Sequence, residues 1–245
     1  MACKNGLMRK VTVAALLVLV SFAAATASAQ TLESLERQQA EAPPTEAEIE
    51  AAEADWRARQ DQVNQVLSSM DRATFIGESP TTGNPNAAVV VVKFSDFECP
   101  FCAAAADHMQ AFVEQRGDEV LYVYKHFPLN NIHPEAASAA KASWAAAQQD
   151  QFWRYHNGLF AHQHRLGDPL YEELAEQMGL DLEQFHRDRN SDAAQAAVDA
   201  DLALARQLNL RGTPSFLMGG LLIPPGFPPE RFGELLDNLK AAQTP

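Results

Sequence analysis

An apolar run that leads directly into two closely spaced cysteines constrains this chain more than any other feature. Residues 88–94 (AVVVVKF) predict a strand buried on both faces, because four consecutive valines suit the middle of a helix-covered sheet. Pro100 follows Cys99 where a helix would start, and proline is favoured at the first helical position. The sequence therefore predicts a strand–turn–helix unit with Cys99 and Cys102 at the head of the helix.

The spacing of the two cysteines indicates a redox-active pair. Unpaired backbone N–H groups and the helix dipole stabilise a thiolate at a helix N-terminus, which is the predicted position of Cys99. Cys102 lies about one helical turn further on, so we expect Cys99 to be the exposed, reacting sulfur and Cys102 the interior, resolving one. Structural zinc has less support because it needs two more ligands at suitable spacing. A structural disulfide in so short a loop would remove little unfolded-state entropy.

The remaining pattern predicts an α/β domain. Residues 120–125 form a second strand, and a strand–helix–strand order favours a parallel pair with a right-handed crossover. Short strands at 215–218 and 221–223 flank Gly219-Gly220, a two-residue hairpin signal. Helices are predicted for the alanine-rich and amphipathic segments between and after these strands, at 135–149, 152–163, 171–178, 182–189, 193–208 and 229–242.

The N-terminus predicts export. Residues 1–29 combine three basic residues, a fifteen-residue apolar stretch and a small-residue cleavage site, as in a secretory signal peptide. The alternative is an uncleaved membrane anchor, but that stretch is shorter than the roughly 20 residues that span a bilayer. Cleavage would leave half as many basic residues as the 32 acidic ones. Such a surface repels nucleic acid and anionic lipid, so we expect a periplasmic protein with no nucleic-acid partner.

Residues 30–72 form an acidic segment with an open interpretation. After Pro43-Pro44, Thr45 is a candidate N-cap, and a heptad-like stripe follows at Ile49, Ala52, Trp56, Arg59, Val63, Val66 and Met70. Three heptads are the lower limit for a coiled coil. Residues 45–72 are therefore either an oligomerisation stalk or an amphipathic helix folded onto its own domain. A turn-rich joint follows at residues 79–86, and the second domain is predicted to cover residues 73–245.

Several motifs in order resemble the DsbA family of oxidoreductases. Residues 94–102 (FSDFECPFC) resemble its active-site segment, and residues 212–216 (GTPSF) resemble its cis-proline loop. Residues 127–129 (FPL), 133–134 (HP) and 152–153 (FW) resemble motifs of the family's inserted helical domain. The resemblance implies a thioredoxin fold with a helical insertion at about 130–208, here preceded by the N-terminal helical segment.

The resemblance also implies roles for residues near the pair. Thr213-Pro214 would be cis and would offer the Thr213 backbone to an extended substrate; the alternative is an ordinary trans turn. Lys93 stands where many relatives carry a buried acid. It would favour the Cys99 thiolate, but we expect it instead to reach the strand end and pair with Asp96 or Glu98.

Two further neighbours of the pair carry expectations. We expect Glu98 to face water. Phe101 adds apolar surface beside the reactive sulfur, which suits unfolded clients. It offers no charge to the thiolate, which predicts an intermediate redox potential. The alternative is that Phe101 only packs over the helix start.

These features predict a protein thiol–disulfide oxidoreductase without cofactor or metal. The first hypothesis is a dithiol oxidase that acts on unfolded or partly folded exported proteins with cysteines, with a membrane redox partner. The second is an isomerase or reductase that the membrane partner keeps reduced, assembled as a homo-oligomer through residues 45–72. The third is a binding module without catalysis.

Overall fold

The computed structural model describes residues 43–243. The predicted signal peptide at 1–29 and residues 30–42 lie outside this range. The chain divides into two compact units, residues 1–58 and 59–245. The helices are α1 (Glu46–Ser68), α2 (Arg72–Ile76), α3 (Pro100–Arg116), α4 (Ala136–Ala147), α5 (Phe152–Ala161), α6 (Asp168–Met178), α7 (Leu182–Arg189), α8 (Asp192–Gln207) and α9 (Phe232–Gln243). The strands are β1 (Thr81–Gly83), β2 (Val89–Ser95), β3 (Val120–His126), β4 (Ser215–Met218) and β5 (Leu221–Leu222).

A five-stranded sheet in the order β1-β3-β2-β4-β5 organises the second unit. β2 and β3 are parallel, with Val89 opposite Val120, and β4 pairs antiparallel to β2. Gly219 and Gly220 join β4 to β5 with φ angles of 58° and 88°, which is the left-handed conformation of a tight hairpin turn. The predicted strands at 88–94, 120–125, 215–218 and 221–223 and the α/β class are confirmed.

Sequence analysis missed the edge strand β1, because its residues lie in a segment predicted as a joint. β1 pairs antiparallel to β3, with Gly83 opposite Leu121. Gly83 has a φ of +91°, and a Cβ there would lie 2.5 Å from the Val120 carbonyl oxygen. A short edge strand tolerates flanking proline and glycine, so the turn-like composition of this segment is compatible with pairing.

Helices cover both faces of the sheet. On one face the core contains side chains of β2, β3 and β4 with α3 and α9: Val89, Val91, Val120, Tyr122, Phe216, Met218, Ala105, Met109, Phe112, Phe232 and Leu236. On the other face the same strands pack with the end of α1, with α2 and with α8: Val92, Phe94, Leu121, Val123, Leu217, Val63, Val66, Phe75, Ala205 and Leu208. Between β3 and β4 the chain forms α4 to α8, whose separate core includes Phe97 and Tyr124.

Helix α1 belongs to both units. At its start, Thr45 Oγ1 accepts a hydrogen bond from Glu48 N at 3.3 Å, and Glu48 Oε2 accepts one from Thr45 N at 2.8 Å. This reciprocal capping box confirms the predicted N-cap. Near its end, Val63 and Val66 are buried in the core of the second unit, and Gln60 Nε2 donates to the Gly220 carbonyl at 2.9 Å.

The compact units divide after Ala58, whereas the sequence suggested a boundary at 72/73. The second unit begins at Arg59, because the last turns of α1 pack on the sheet. For residues 59–68 the interpretation as a folded-back amphipathic helix holds. Oligomerisation remains a prediction for the residues before Arg59.

Replacing Val63, which is 0% exposed, tests this packing. We expect Val63→Ala to lower the free energy of unfolding by about 2 kcal/mol, because two buried carbon groups are lost. The exposed Gln65→Ala on the same helix is the matched control and should change it by less than about 0.5 kcal/mol. Urea denaturation measures both, and equal effects would contradict the assignment of this helical segment to the core.

Candidate active site

Cys99 caps the N-terminus of α3. Its φ and ψ of −75° and 120° are extended, and Pro100 occupies the first helical turn. The Cys99 carbonyl accepts hydrogen bonds from Cys102 N at 3.0 Å and Ala103 N at 3.2 Å. The sequence folds this way because the fixed φ of proline suits a first helical residue, where its missing N–H costs nothing. The Cys99 side chain is therefore placed at the N-terminal end of α3, where the helix dipole favours a negative charge.

The two sulfurs have different environments, and both cysteines are thiols. Cys102 is 0% exposed, as predicted, and its Sγ accepts a hydrogen bond from Asp96 N at 3.5 Å. Cys99 was expected to be exposed, but only 4% of its surface is accessible. The reason is that the loop before β4 lies against it. Cys99 Sγ donates to the Thr213 carbonyl at 3.4 Å, a bond that requires the protonated thiol.

The acidities of the two thiols diverge. A hydrogen bond from Cys102, helped by the backbone N–H groups of Phe101 and Cys102, lowers the pKa of Cys99 to about 5, although burial opposes this. Burial and the Cys99 bond raise the pKa of Cys102 far above its ordinary value. At neutral pH the pair therefore consists of a thiolate at position 99, which no longer donates to the Thr213 carbonyl, and a thiol at position 102.

The cis-proline loop lies where the resemblance placed it. The Thr213–Pro214 peptide bond is cis, and both residues are half-buried. The pairing of β4 with β2, which sets Ser215 opposite Phe94, brings this loop to the same sheet end as Cys99.

Phe101 lies on the outside of the site. It is 74% exposed, so the interpretation in which it packs over the helix start is wrong. Pro100 beside it is exposed as well.

Lys93 does not reach the strand end. It is 0% exposed, its Nζ donates to the Cys102 carbonyl at 3.0 Å, and the ammonium lies 5.0 Å from the centre of the Phe160 ring. The expected pairing with Asp96 or Glu98 is therefore wrong, because the side chain points into the core under α3. Burial lowers the pKa of Lys93 to about 8, against the opposite effect of Cys102 and Cys99.

Glu98 is half-buried rather than fully directed to water. Its Oε2 accepts a hydrogen bond from Glu135 N at 2.7 Å. This contact ties the active-site loop to the start of α4.

Sequence reasoning missed three residues that hold this loop. Gln163, which follows α5, donates through Nε2 to the Phe97 carbonyl at 2.7 Å and the Cys99 carbonyl at 2.9 Å. Asp96 is 1% exposed, and its carboxylate binds His133 Nδ1 at 2.7 Å. The only local signal for these contacts was the carboxylate of Asp96 in a segment with few other polar residues. The partners of Asp96, and Gln163 as the partner of the Phe97 and Cys99 carbonyls, are distant in sequence. Within residues 43–243, no cluster of three or more His, Cys, Asp or Glu could hold a metal ion.

Comparison with known proteins assigns the fold. The family model described as thioredoxin matches residues 75–238. A thioredoxin-like oxidoreductase from Silicibacter pomeroyi DSS-3 is 31% identical, with a TM-score of 0.62 over 71% of this chain and 98% of that structure. The thiol-disulfide exchange protein alpha-DsbA2 of Wolbachia pipientis is 20% identical, with a TM-score of 0.66 over 76% of this chain and 98% of that one. A linker-deletion variant of Proteus mirabilis ScsC is 21% identical, with a TM-score of 0.66 over 89% of this chain and 100% of that one; these last two show the fold alone. The chain therefore belongs to the thioredoxin family, which confirms the expected thioredoxin fold, and it is similar to a thioredoxin-like oxidoreductase.

Curated relatives carry this domain in a larger protein. The Na⁺/H⁺ antiporter NhaA 1 of Mycobacterium sp. (strain KMS) is 39% identical over 140 residues, which are 56% of this chain and 23% of the antiporter. The chain thus spans about a quarter of the length of the curated relatives it matches. None of the helices between residues 43 and 243 combines the length and apolar character needed to cross a bilayer.

Two buried lysines with different partners allow a matched test of the charge at Lys93. Lys125 is 5% exposed but pairs with Asp201 Oδ1 at 2.9 Å. We expect Lys93→Met to raise the free energy of unfolding of the reduced protein at pH 7 by up to about 3 kcal/mol. Lys125→Met should lower it by about 3 kcal/mol or more, because a buried carboxylate loses its partner. Urea denaturation distinguishes these opposite signs.

The advantage of Lys93→Met should shrink between pH 8 and 10.5, the folded and unfolded pKa values of Lys93. In that window the folded lysine loses its proton while the unfolded one retains it, so the wild type regains stability. A loss of stability in both variants would show that Lys93 is compensated like Lys125.

Proposed function

We propose that the chain oxidises pairs of cysteines in exported proteins by thiol–disulfide exchange. The observation that carries the proposal is the placement of the two sulfurs, with Cys99 at the start of α3 against the Thr213 carbonyl and Cys102 enclosed behind it. This placement lowers the pKa of Cys99 to about 5 and raises that of Cys102. A stabilised thiolate favours the reduced form of the pair, which makes the disulfide form oxidising. A low-pKa sulfur is also the better leaving group, so it releases a client readily.

The reaction is a sequence of two exchanges. A client thiolate attacks the Cys99 sulfur of the disulfide, the Cys99–Cys102 bond breaks, and Cys102 leaves and takes up a proton. A second client thiolate attacks the client sulfur of the mixed disulfide, and Cys99 leaves as a thiolate. The client gains a disulfide and the Cys99–Cys102 pair gains two electrons, which a membrane redox partner removes to restore the disulfide.

The surroundings of Cys99 favour an extended, partly apolar client segment. The Thr213 backbone lies beside Cys99, and Pro214 after it has no N–H, so Thr213 can pair with a client strand. Phe101, exposed next to the sulfur, supplies apolar contact area. These positions suit unfolded or partly folded proteins, whose apolar residues are still accessible.

The proposed location is the periplasm. Its support is the predicted signal peptide at residues 1–29 and the acidic composition, with 32 Asp and Glu against 19 Lys and Arg. The proposed domain organisation is a helical N-terminal segment before a thioredoxin domain with its insertion at about 130–208.

An isomerase or reductase is the second candidate. It is supported by the capped helix that starts at Glu46, part of which belongs to the first compact unit. A homo-oligomer formed through this segment would raise the local concentration of active sites on one client. The mass in solution with and without residues 30–58 tests this candidate, and a monomer in both cases favours the oxidase. In cells, a mostly oxidised Cys99–Cys102 pair would support the oxidase, and a mostly reduced one the isomerase or reductase.

Alkylation kinetics test the acidity that carries the proposal. Iodoacetamide at pH 7 should label Cys99 of the reduced protein rapidly and leave Cys102 unlabelled. The labelling rate of Cys99 should rise through about pH 5, well below the ordinary thiol range of about 8.5. Lys93→Met should shift this rise to higher pH, because a nearby cation favours the thiolate. Equal, slow labelling of both cysteines would contradict the proposal.

Disulfide formation in a reduced, unfolded model protein tests catalysis directly. The oxidised wild type should form client disulfides, whereas Cys99→Ser should have no activity. Cys102→Ser, activated at Cys99 as a mixed disulfide with glutathione, should transfer that disulfide to the client. Activity that survives in Cys99→Ser would instead support a binding module without thiol chemistry.

A further inference from the structure

Asp96 is a fully enclosed carboxylate next to the redox pair. Its side chain is 0% exposed. Oδ1 accepts a hydrogen bond from Glu98 N at 2.8 Å, and Oδ2 accepts from Leu129 N at 2.8 Å and contacts His133 Nδ1 at 2.7 Å. The carboxylate therefore joins the active-site loop to the loop that follows β3.

The same residue touches the redox pair through its backbone. Asp96 N donates to Cys102 Sγ at 3.5 Å, and the Asp96 carbonyl accepts from Cys99 N at 3.3 Å. The contacts that fix the Asp96 side chain therefore also fix the loop that carries Cys99 and Cys102.

The charge of His133 is expected to influence how readily Cys99 ionises. A buried carboxylate opposes a second negative charge nearby, yet Cys99 must ionise to react. Two acidic groups of the active-site loop act on the His133 ring, Asp96 by direct contact and Glu98 by its charge. Glu135, two residues after His133 in the chain, accepts a hydrogen bond from Tyr171 Oη at 2.9 Å. His133, whose side chain is 16% exposed, is the titratable group that contacts Asp96 directly.

We propose that His133 is a positioning residue of the redox pair, whose imidazolium neutralises Asp96 and thereby favours the thiolate of Cys99. The proposal rests on the proposed thiol–disulfide exchange and adds a residue to it. Although burial lowers the pKa of His133, the bond to Asp96 and the charges of Asp96, Cys99 and Glu98 raise it above the ordinary value. The imidazolium and the Cys99 thiolate stabilise each other, so the influence is reciprocal.

That reciprocity gives a test without any substitution. The reduced protein carries a thiolate at Cys99 and the disulfide form does not. The imidazole of His133 should therefore titrate at higher pH in the reduced protein than in the oxidised one. Two-dimensional NMR of the histidine rings measures both titrations, with the ring signals of the exposed His108 on α3 as the internal reference. The same His133 midpoint in both forms would overturn the proposal.

Substitutions separate charge from packing. His133→Gln keeps a donor for Asp96 but removes the positive charge, and we expect it to raise the pKa of Cys99 by about one unit. Alkylation of Cys99 near pH 5 should then be several-fold slower. Adding Asp96→Asn removes the uncompensated carboxylate, so the double variant should return the Cys99 pKa towards the wild-type value. His108→Gln is the matched control and should leave it unchanged.

The outcomes distinguish failure of the His133 role from failure of the proposed thiol–disulfide exchange. If Cys99 of the wild type titrates as an ordinary thiol, the proposed function fails. If the wild-type Cys99 pKa is low but His133→Gln leaves it unchanged, only the role of His133 fails. A double variant more perturbed than His133→Gln would show that the pair acts through packing alone and would also overturn the charge proposal.

Discussion

The antiparallel pairing of β4 with β2 is the constraint on which the site depends. It sets Ser215 opposite Phe94, and from there the chain reaches Thr213 on one side and Cys99 on the other. The Cys99 thiol then contacts the Thr213 carbonyl at 3.4 Å. Because the two segments are far apart in sequence, neither local propensity nor capping can bring them together, and the site forms only when the sheet is complete.

The chemistry of the site follows from unequal burial within one helical turn. Cys102 points into the core, where desolvation holds its proton, while Cys99 lies at the start of α3, where Cys102 and the backbone of the first turn lower its pKa. A buried cation at Lys93 and a buried carboxylate at Asp96 belong to residues that both contact Cys102, through its carbonyl and its sulfur respectively. Both charges act on the same two sulfurs. The equilibrium between the dithiol and disulfide forms of the pair therefore depends on the charged residues around it as well as on the two cysteines.

Local patterns were sufficient for much of the fold. The valine run before Cys99 predicts β2 because only a helix-covered strand buries such a sequence on both faces. Pro100 predicts the start of α3, and Gly219-Gly220 predicts the β4–β5 hairpin, because each signal depends on backbone dihedrals of a few neighbouring residues. The edge strand β1 escaped prediction because its residues resemble a turn, and the domain boundary was displaced because the packing of Val63 and Val66 is not a local property.

The sequence alone indicated the cysteine pair, strands β2 to β5 and most of the helices, because spacing and propensity are encoded locally, and the order of its motifs supplied the cis-proline loop through a family resemblance. Tertiary structure decided how the pair is held: the enclosure of Cys99 by the Thr213 loop, the burial of Lys93, and the contacts of Asp96 with His133 and of Gln163 with the Cys99 carbonyl. These contacts join segments separated by long stretches of chain. Only packing determines whether such side chains meet each other or water, and therefore which charges act on the sulfurs.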